Sequence, residues 1–77
     1  MVYPRDAQQD GLEADIIVHC LVGVDGRVHE VAIVRGNPGF NGAVVDAVSE
    51  YEFKPARRKG AAVSVWVIIP MHFRLPN

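Results

Sequence analysis

The sequence contains a single cysteine, and this scarcity excludes two common ways of stabilising a small domain. One cysteine among 77 residues cannot form an internal disulfide, and it cannot build a zinc site from several cysteines. No apolar run approaches the roughly 18 residues of a membrane span, and the start lacks the charged-then-apolar pattern of a signal peptide. Folding therefore depends on a hydrophobic core, which is thin because a chain this short buries only about 60% of its surface.

A strong charge of either sign is also absent. The formal net charge is −1, with 22% charged and 49% hydrophobic residues, a balance that gives no general attraction to nucleic acid or anionic lipid. The length predicts a single domain over residues 1–77. Because the first structural signal stands only two residues after Met1, we expect this domain to come from a longer protein that carries its targeting sequence upstream.

The hydrophobic pattern predicts five elements in the order helix, strand, strand, helix, strand. They cover residues 3–11, 14–22, 28–34, 40–53 and 62–75. Gly26 in "VDGR" can adopt the positive φ of a hairpin turn, and a break in alternation predicts a bulge near His29. The predicted fold class is α+β, a three-stranded antiparallel sheet with both helices packed on one face.

Side-chain alternation assigns faces to the predicted elements. Ile16, Val18, Cys20 and Val22 share one face of the first strand, so Cys20 is predicted to be a small core residue. Asn41 is predicted to cap the second helix. Residues 54–60 are predicted to form a loop, because Pro55 disfavours helical geometry at the residue before it.

The last strand contains a proline, Pro70, which cannot donate a hydrogen bond and is rarely found in a central strand. We therefore predict that this strand lies at the sheet edge, with the missing donor on the open side. Backbone groups of successive residues face alternate edges. Those of Ser64, Trp66 and Ile68 would then face outward, while their neighbours in the sequence bond to the adjacent strand.

Residues suited to catalysis are scattered, and no nucleophile elbow, phosphate-binding glycine loop or H-E-x-x-H motif is present. His19, His29 and His72 could bind zinc if the register brought them together on the open sheet face. Cys20 cannot join His19, because adjacent strand residues point to opposite faces. We predict no enzymatic activity, no cofactor and no bound metal, and a small metal-binding domain is kept as an alternative hypothesis.

One basic group stands out, formed by Lys54, Arg57, Arg58 and Lys59. It falls in the predicted loop between the second helix and the last strand, with no aromatic residue interleaved. Cations near a helix C-terminus also have a structural reason to be there. The sequence thus favours a solvated loop, and nucleic acid is not predicted as a partner.

Several motifs, in order and spacing, resemble the C-terminal domain of TonB proteins over nearly the whole chain. They are "YPRDAQQDG", "VDGRV", "AVVDAVSEYEFKPARRKG" and "VSVWVIIPMHFRL". The sequence departs from the family pattern at Tyr51, where tryptophan is usual, and at Ala14, where glycine is common. An aromatic residue replaces an aromatic one at position 51, so the resemblance in fold is kept.

The resemblance implies a periplasmic domain tethered to the inner membrane by a helix and a proline-rich linker, both upstream of this sequence. In the family, the domain grasps the periplasmic segment of outer-membrane TonB-dependent transporters. A proton-driven inner-membrane complex then pulls, and the transporter opens for its nutrient. The alternative hypothesis is a TonB-like interaction module of another envelope-spanning machine, for motility or secretion.

The predicted mechanism is the addition of a receptor peptide as a fourth strand along the last strand of the sheet. The peptide-binding residues are predicted to be Ser64, Val65, Trp66, Val67, Ile68 and Ile69, with Trp66 as the side-chain anchor. Receptor contacts are also predicted for Tyr3, Pro4 and Arg5. An open apolar edge favours self-pairing as well, so we expect a concentration-dependent homodimer.

Overall fold

The computed structural model describes residues 3–6 and 10–75. Five strands and one helix have their bounds within these described residues: β1 (Ala14–Val22), β2 (Val28–Arg35), α1 (Asn41–Ser49), β3 (Ala56–Arg58), β4 (Ala61–Val63) and β5 (Val65–Phe73). Within the described ranges, no helix has the length and apolar character needed to cross a membrane.

The main sheet has the strand order β2–β1–β5, and both pairings are antiparallel. β1 is central, and the proline-containing strand β5 lies at the edge. The predicted bulge is confirmed in β2: Leu21 pairs with Glu30 and Val22 with Val28, which leaves His29 without a partner on β1. The three-stranded antiparallel sheet expected from the sequence is therefore present.

The core lies on one face of this sheet, under α1. Its buried side chains come from alternating positions of β1 and β5, from Phe40 and from the helix: Ile16, Val18, Cys20, Val22, Phe40, Val44, Val48, Met71 and Phe73. Alternation in β1 and β5 places these residues on one side, and α1 buries Val44 and Val48 one turn apart while packing against β2. Cys20 is buried, as predicted.

The prediction of two helices is not confirmed. α1 is the one helix whose bounds lie within the described residues, and of the residues described at the start of the chain, Arg5 and Asp6 have helical conformation. Residues 7–9, which would complete the first predicted helix, lie outside the described residues. Tyr3, just before them, packs edge-on against Phe40 and Phe73, with ring centroids 5.6 and 5.2 Å away.

The second predicted helix is shorter than the sequence indicated, and its cap is different. It ends at Ser49, because the following chain is drawn into an extended path: the Phe53 N–H donates to the Gly26 carbonyl at 2.8 Å. Phe40 occupies the N-cap position without a side-chain hydrogen bond. The Asn41 side chain instead accepts a hydrogen bond from the Asn37 N–H at 2.8 Å, so the predicted Asn41 cap is wrong.

The segment predicted as a loop, residues 54–60, contributes one strand of a second, two-stranded sheet. β3 pairs with β4, and Lys59 and Gly60 form the turn with φ values of 51° and 83°, as in the favoured two-residue hairpin turns. The predicted last strand is correspondingly too long at its start. β1 ends at Val22, opposite Val65, so residues 61–63 have no partner in the main sheet and pair with β3.

Candidate functional site

The main sheet has two free edges among the described residues, those of β2 and β5, and the edge of β5 is the one that contains Pro70. Within the described part of the chain, β5 pairs with β1 on one side and with no strand on the other. The described residues form no pocket. A strand edge presents a row of unpaired N–H and C=O groups to any extended chain that approaches it.

The register shows which backbone groups of β5 face outward. Pro70 lies opposite Ile17, and since Pro70 has no N–H this must be a pair that exchanges no hydrogen bonds. Bonded and non-bonded pairs alternate along antiparallel strands. Val65, Val67 and Ile69 therefore bond to β1, whereas the backbone groups of Trp66 and Ile68 face the open edge, as expected from the position of Pro70.

The side chains along β5 divide between the core and the uncovered sheet face. Val65, Val67 and Ile69 are half-buried on the core side. Trp66 is 48% exposed and Ile68 65% exposed on the opposite face. The Trp66 ring packs on the His19 imidazole, with the ring centroids 4.7 Å apart. The outward residues thus offer apolar side chains beside their free backbone groups.

Ser64 and the N-terminal residues lie outside this edge. Ser64 is exposed in the break between β4 and β5, not within the strand as predicted. Tyr3 is half-buried against Phe40, and its hydroxyl donates to the Leu12 carbonyl. Arg5 is exposed. The ring of Tyr3 therefore packs against the core residues Phe40 and Phe73. The structure does not bring it next to the exposed side chains of β5.

A polar cluster lies at the C-terminal end of β5, and the sequence did not predict it. The Asp15 carboxylate lies 2.7 Å from His72 Nδ1 and 2.6 Å from Arg74 Nη2. Hydrogen bonds from His72 and Arg74 hold the pKa of Asp15 below its ordinary value. The Glu13 carboxylate also accepts the Leu75 N–H at 2.8 Å. Asp15 and His72 are cross-strand partners, which only the register could reveal.

The three histidines do not converge. His19 packs on Trp66, His72 bonds to Asp15, and His29 Nε2 lies 3.0 Å from Asp25 Oδ1. The pKa of Asp25 is lowered by the backbone N–H of Arg27 and by His29. In the described ranges, no three side chains of histidine, cysteine, aspartate or glutamate are placed to hold a metal. The zinc site considered from the sequence is not formed by these residues.

Comparison with known proteins identifies relatives in Pseudomonas aeruginosa. The chain is 31% identical over 75 residues to "Protein tonB2" of Pseudomonas aeruginosa, a match that covers 95% of this chain and 28% of that protein. The structure of this chain resembles the solution NMR structure of the Pseudomonas aeruginosa TonB CTD, with a TM-score of 0.81 and 27% identity. That likeness covers 99% of this chain and 79% of the other.

The chain spans less than a third of the length of its tonB2 relative, so it corresponds to one part of that protein. The family model for the C-terminal region of Gram-negative bacterial TonB proteins matches residues 1–75. With this match over nearly all residues, the chain belongs to the TonB C-terminal family.

Proposed function

We propose that this domain is the receptor-binding end of a TonB-type energy transducer in the periplasm. It binds the N-terminal peptide segment of an outer-membrane TonB-dependent transporter by strand addition to β5. The rest of the transducer, upstream of this sequence, anchors it in the inner membrane and connects it to a proton-driven complex. The domain transmits force between the two membranes and performs no chemistry itself.

The observation that carries this proposal is that no described strand pairs with the outer edge of β5, and that Pro70 lies where its missing N–H does not interrupt the sheet. An extended peptide can pair with the outward N–H and C=O groups of Trp66 and Ile68. The strand is nine residues long, enough for a guest of ordinary strand length. Family membership supports the same mode of binding for this chain.

The expected affinity is low enough for the domain to release the transporter peptide after force has been transmitted. About four to six backbone hydrogen bonds, each worth roughly 0.5–1.5 kcal/mol net, give modest and reversible binding once the cost of ordering the guest is subtracted. Trp66 adds side-chain contact area, and large aromatic residues dominate many interfaces. Its contact with His19 already fixes the ring on the open face, which lowers the entropy lost on binding.

The test is a titration of the isotope-labelled chain with receptor N-terminal peptides, in which the shifted amides are mapped. We expect shifts along residues 65–69. Ile68→Pro removes an outward donor, so peptide binding should be lost while the amide spectrum stays native-like. Unchanged peptide affinity in Ile68→Pro would contradict this mode of binding.

Ile69→Pro is the matched control, because the Ile69 N–H faces β1 and belongs to the sheet. This variant should lose stability or fail to fold, since proline removes a ladder hydrogen bond in the interior of a sheet. The contrast between two neighbouring positions separates the free side of β5 from its paired side. Equal stability losses in the two variants would contradict the assignment of Ile68 to the free side.

A further inference from the structure

The basic residues of this chain are concentrated in the segment that directly precedes β5 in the sequence. Residues 53–77 carry five of the eight lysine and arginine residues, and no aspartate or glutamate follows Glu52. Four of those five cations lie within residues 54–59. The small net charge of the chain thus results from a positive C-terminal third that offsets an acidic remainder.

Three of these cations stand on an ordered hairpin, β3–β4, and not on the solvated loop expected from the sequence. Arg57 and Arg58 lie in β3, Lys59 lies in the turn, and all three are exposed. Adjacent strand residues point to opposite faces, so the two arginines present positive charge on both faces of the hairpin. Among the described residues, β3 and β4 pair only with each other.

The hairpin cations have no acidic partner among the residues that the structure describes. The ion pairs among the described residues involve four other basic side chains: Arg27, Arg74, His29 and His72. Arg57 donates from Nη1 to the Gly60 carbonyl at 3.0 Å, which holds its guanidinium over the turn and leaves its other donors available. A concentration of unpaired cations on one protrusion attracts anionic groups from outside the chain.

The hairpin is continuous in the chain with β5, the strand along which the proposed peptide would add. Only Ser64 separates β4 from β5. Arg57 is paired with Ala62, which precedes Ser64 by two residues, about 7 Å of extended chain. β5 contains no lysine, arginine, aspartate or glutamate, so discrimination by charge must arise at its ends. At the far end Arg74 is already paired with Asp15.

We propose that the β3–β4 hairpin is a second contact for the peptide that adds to β5, and that it selects a peptide whose end beside Ser64 is acidic. This inference rests on the proposed function, because it takes the strand-added peptide as the occupant. A guest that continues past Ser64 brings its carboxylates to guanidinium groups, which bind carboxylates through paired hydrogen bonds.

An anionic lipid surface is the competing occupant, and the distribution of apolar residues disfavours it. Segments that bind membrane surfaces combine cations with large apolar side chains. The exposed large apolar residues are Leu12, Val24, Val34, Trp66 and Ile68, and none of them belongs to the hairpin. Two of them, Trp66 and Ile68, lie on β5, where a peptide would cover them.

The test uses the 77-residue chain and synthetic peptides that share a core of alternating threonine and valine. One peptide carries a short run of aspartates at its amino end, a second carries it at its carboxyl end, and a third carries serines instead. We expect one of the two acidic peptides to bind about five- to tenfold more tightly than the serine peptide at low salt. The preference should fall as ionic strength rises.

Charge removal identifies the residues responsible. The double variant Arg57→Gln/Arg58→Gln should bind all three peptides equally, with the affinity for the serine peptide unchanged. The control Arg27→Gln/Arg35→Gln removes the same number of charges from residues that lie away from β5, on or beside β2, and should keep the preference. The reversal Arg58→Glu, which leaves the Arg57 contact with the turn in place, should reduce the preference for the acidic peptide and favour a lysine-containing one.

The outcomes separate this proposal from the proposed function. Shifts along residues 65–69 with equal affinity for all three peptides would overturn the role of the hairpin and leave strand addition intact. No shift on β5 with any peptide would contradict strand addition, and the hairpin proposal with it. Hairpin-dependent sedimentation with phosphatidylglycerol vesicles, without a preference among peptides, would assign the cations to a lipid surface instead.

Discussion

Gly26 connects the turn between β1 and β2 to the segment that follows α1. Its φ is 79°, a conformation that side-chain-bearing residues rarely adopt. Its carbonyl accepts the Phe53 N–H at 2.8 Å, and a Cβ added at Gly26 would overlap the Phe53 carbonyl oxygen. A single residue without a side chain therefore allows two distant parts of the backbone to meet.

We predict that Gly26→Ala lowers the free energy of unfolding by about 1–3 kcal/mol, because the substitution combines backbone strain with a clash against main chain. Urea denaturation followed by circular dichroism measures this. Gly42→Ala is the control: it lies in α1, where the added Cβ would have no contact within 4 Å beyond its chain neighbours and the helix backbone, and it should gain about 0.4–1 kcal/mol. Equal effects at the two glycines would contradict this account.

Asp15 makes the stability of the β1–β5 pair depend on pH. Its carboxylate pairs with His72 and Arg74, and the hydrogen bond from His72, followed by that from Arg74, lowers its pKa from an ordinary value of 3.8. A group whose pKa is lowered in the folded state stabilises that state above its ordinary pKa. This contribution is lost as the pH falls below 3.8 through the folded-state value.

We therefore expect Asp15→Asn to be less stable than the parent chain at pH 7, with a smaller difference at a pH below 3.8. Denaturant midpoints at the two pH values measure the difference. Asp46→Asn serves as the control, since Asp46 makes no ion pair among the described residues. A difference for Asp15→Asn that persists unchanged in acid would show that the ion pairs are not its cause.

Among the elements, the β3–β4 hairpin is the one that its local sequence pattern did not predict. Lys59 adopts a φ of 51° in the turn, although lysine has no preference for that region. The turn is formed because Gly60 accepts the second positive φ and because the flanking residues pair across it. The two-residue hairpin signals that are strongest in sequences contain asparagine or aspartate before glycine, and "KG" is not one of them.

Lys59→Asn should strengthen this hairpin, since asparagine tolerates the left-handed conformation and is favoured at the first position of such turns. We expect slower amide exchange at Arg58 and Ala61, by a few-fold, with little change in β1 or β2. Lys59→Val, with a β-branched side chain, should have the opposite effect. Faster exchange in Lys59→Asn would contradict the turn geometry.

Strands β1, β2 and β5 could be predicted from the sequence because alternation and burial agree in them. The end of the second helix could not: Tyr51 and Phe53 continue an apolar pattern, but the hydrogen bond from Phe53 to Gly26 pulls that segment into extended conformation. The start of β5 was likewise fixed by the length of β1, which stops at Val22. Element ends depend on partners that are remote in sequence.

At the scale of the whole molecule, the described residues cover one face of the sheet and leave the other face open. Trp66 and Ile68 are exposed on the other face beside the half-buried Ile17 and Leu21. An open strand edge next to an apolar strip favours pairing between copies of the same chain. This surface would compete with the peptide for the edge of β5.

We predict concentration-dependent dimerisation, with a monomer at micromolar and a growing dimer fraction at millimolar concentration, measured by sedimentation equilibrium. Ile68→Lys should abolish the dimer, because edge lysines oppose strand pairing. Val34→Lys, at a residue of β2 that is 64% exposed, should leave it unchanged. A monomer at all concentrations would contradict self-pairing at this edge.

The sequence by itself determined the class of fold, the faces of the strands, the bulge at His29 and the edge position of the proline-containing strand. These follow from residue types at short spacing: period-two alternation, a glycine in a turn and a proline that cannot donate. Only the tertiary structure decided that Asp15 meets His72, that Ser64 falls outside the strand and that the basic residues stand on a hairpin. Those outcomes depend on register and on where a partner strand ends, which local patterns do not encode.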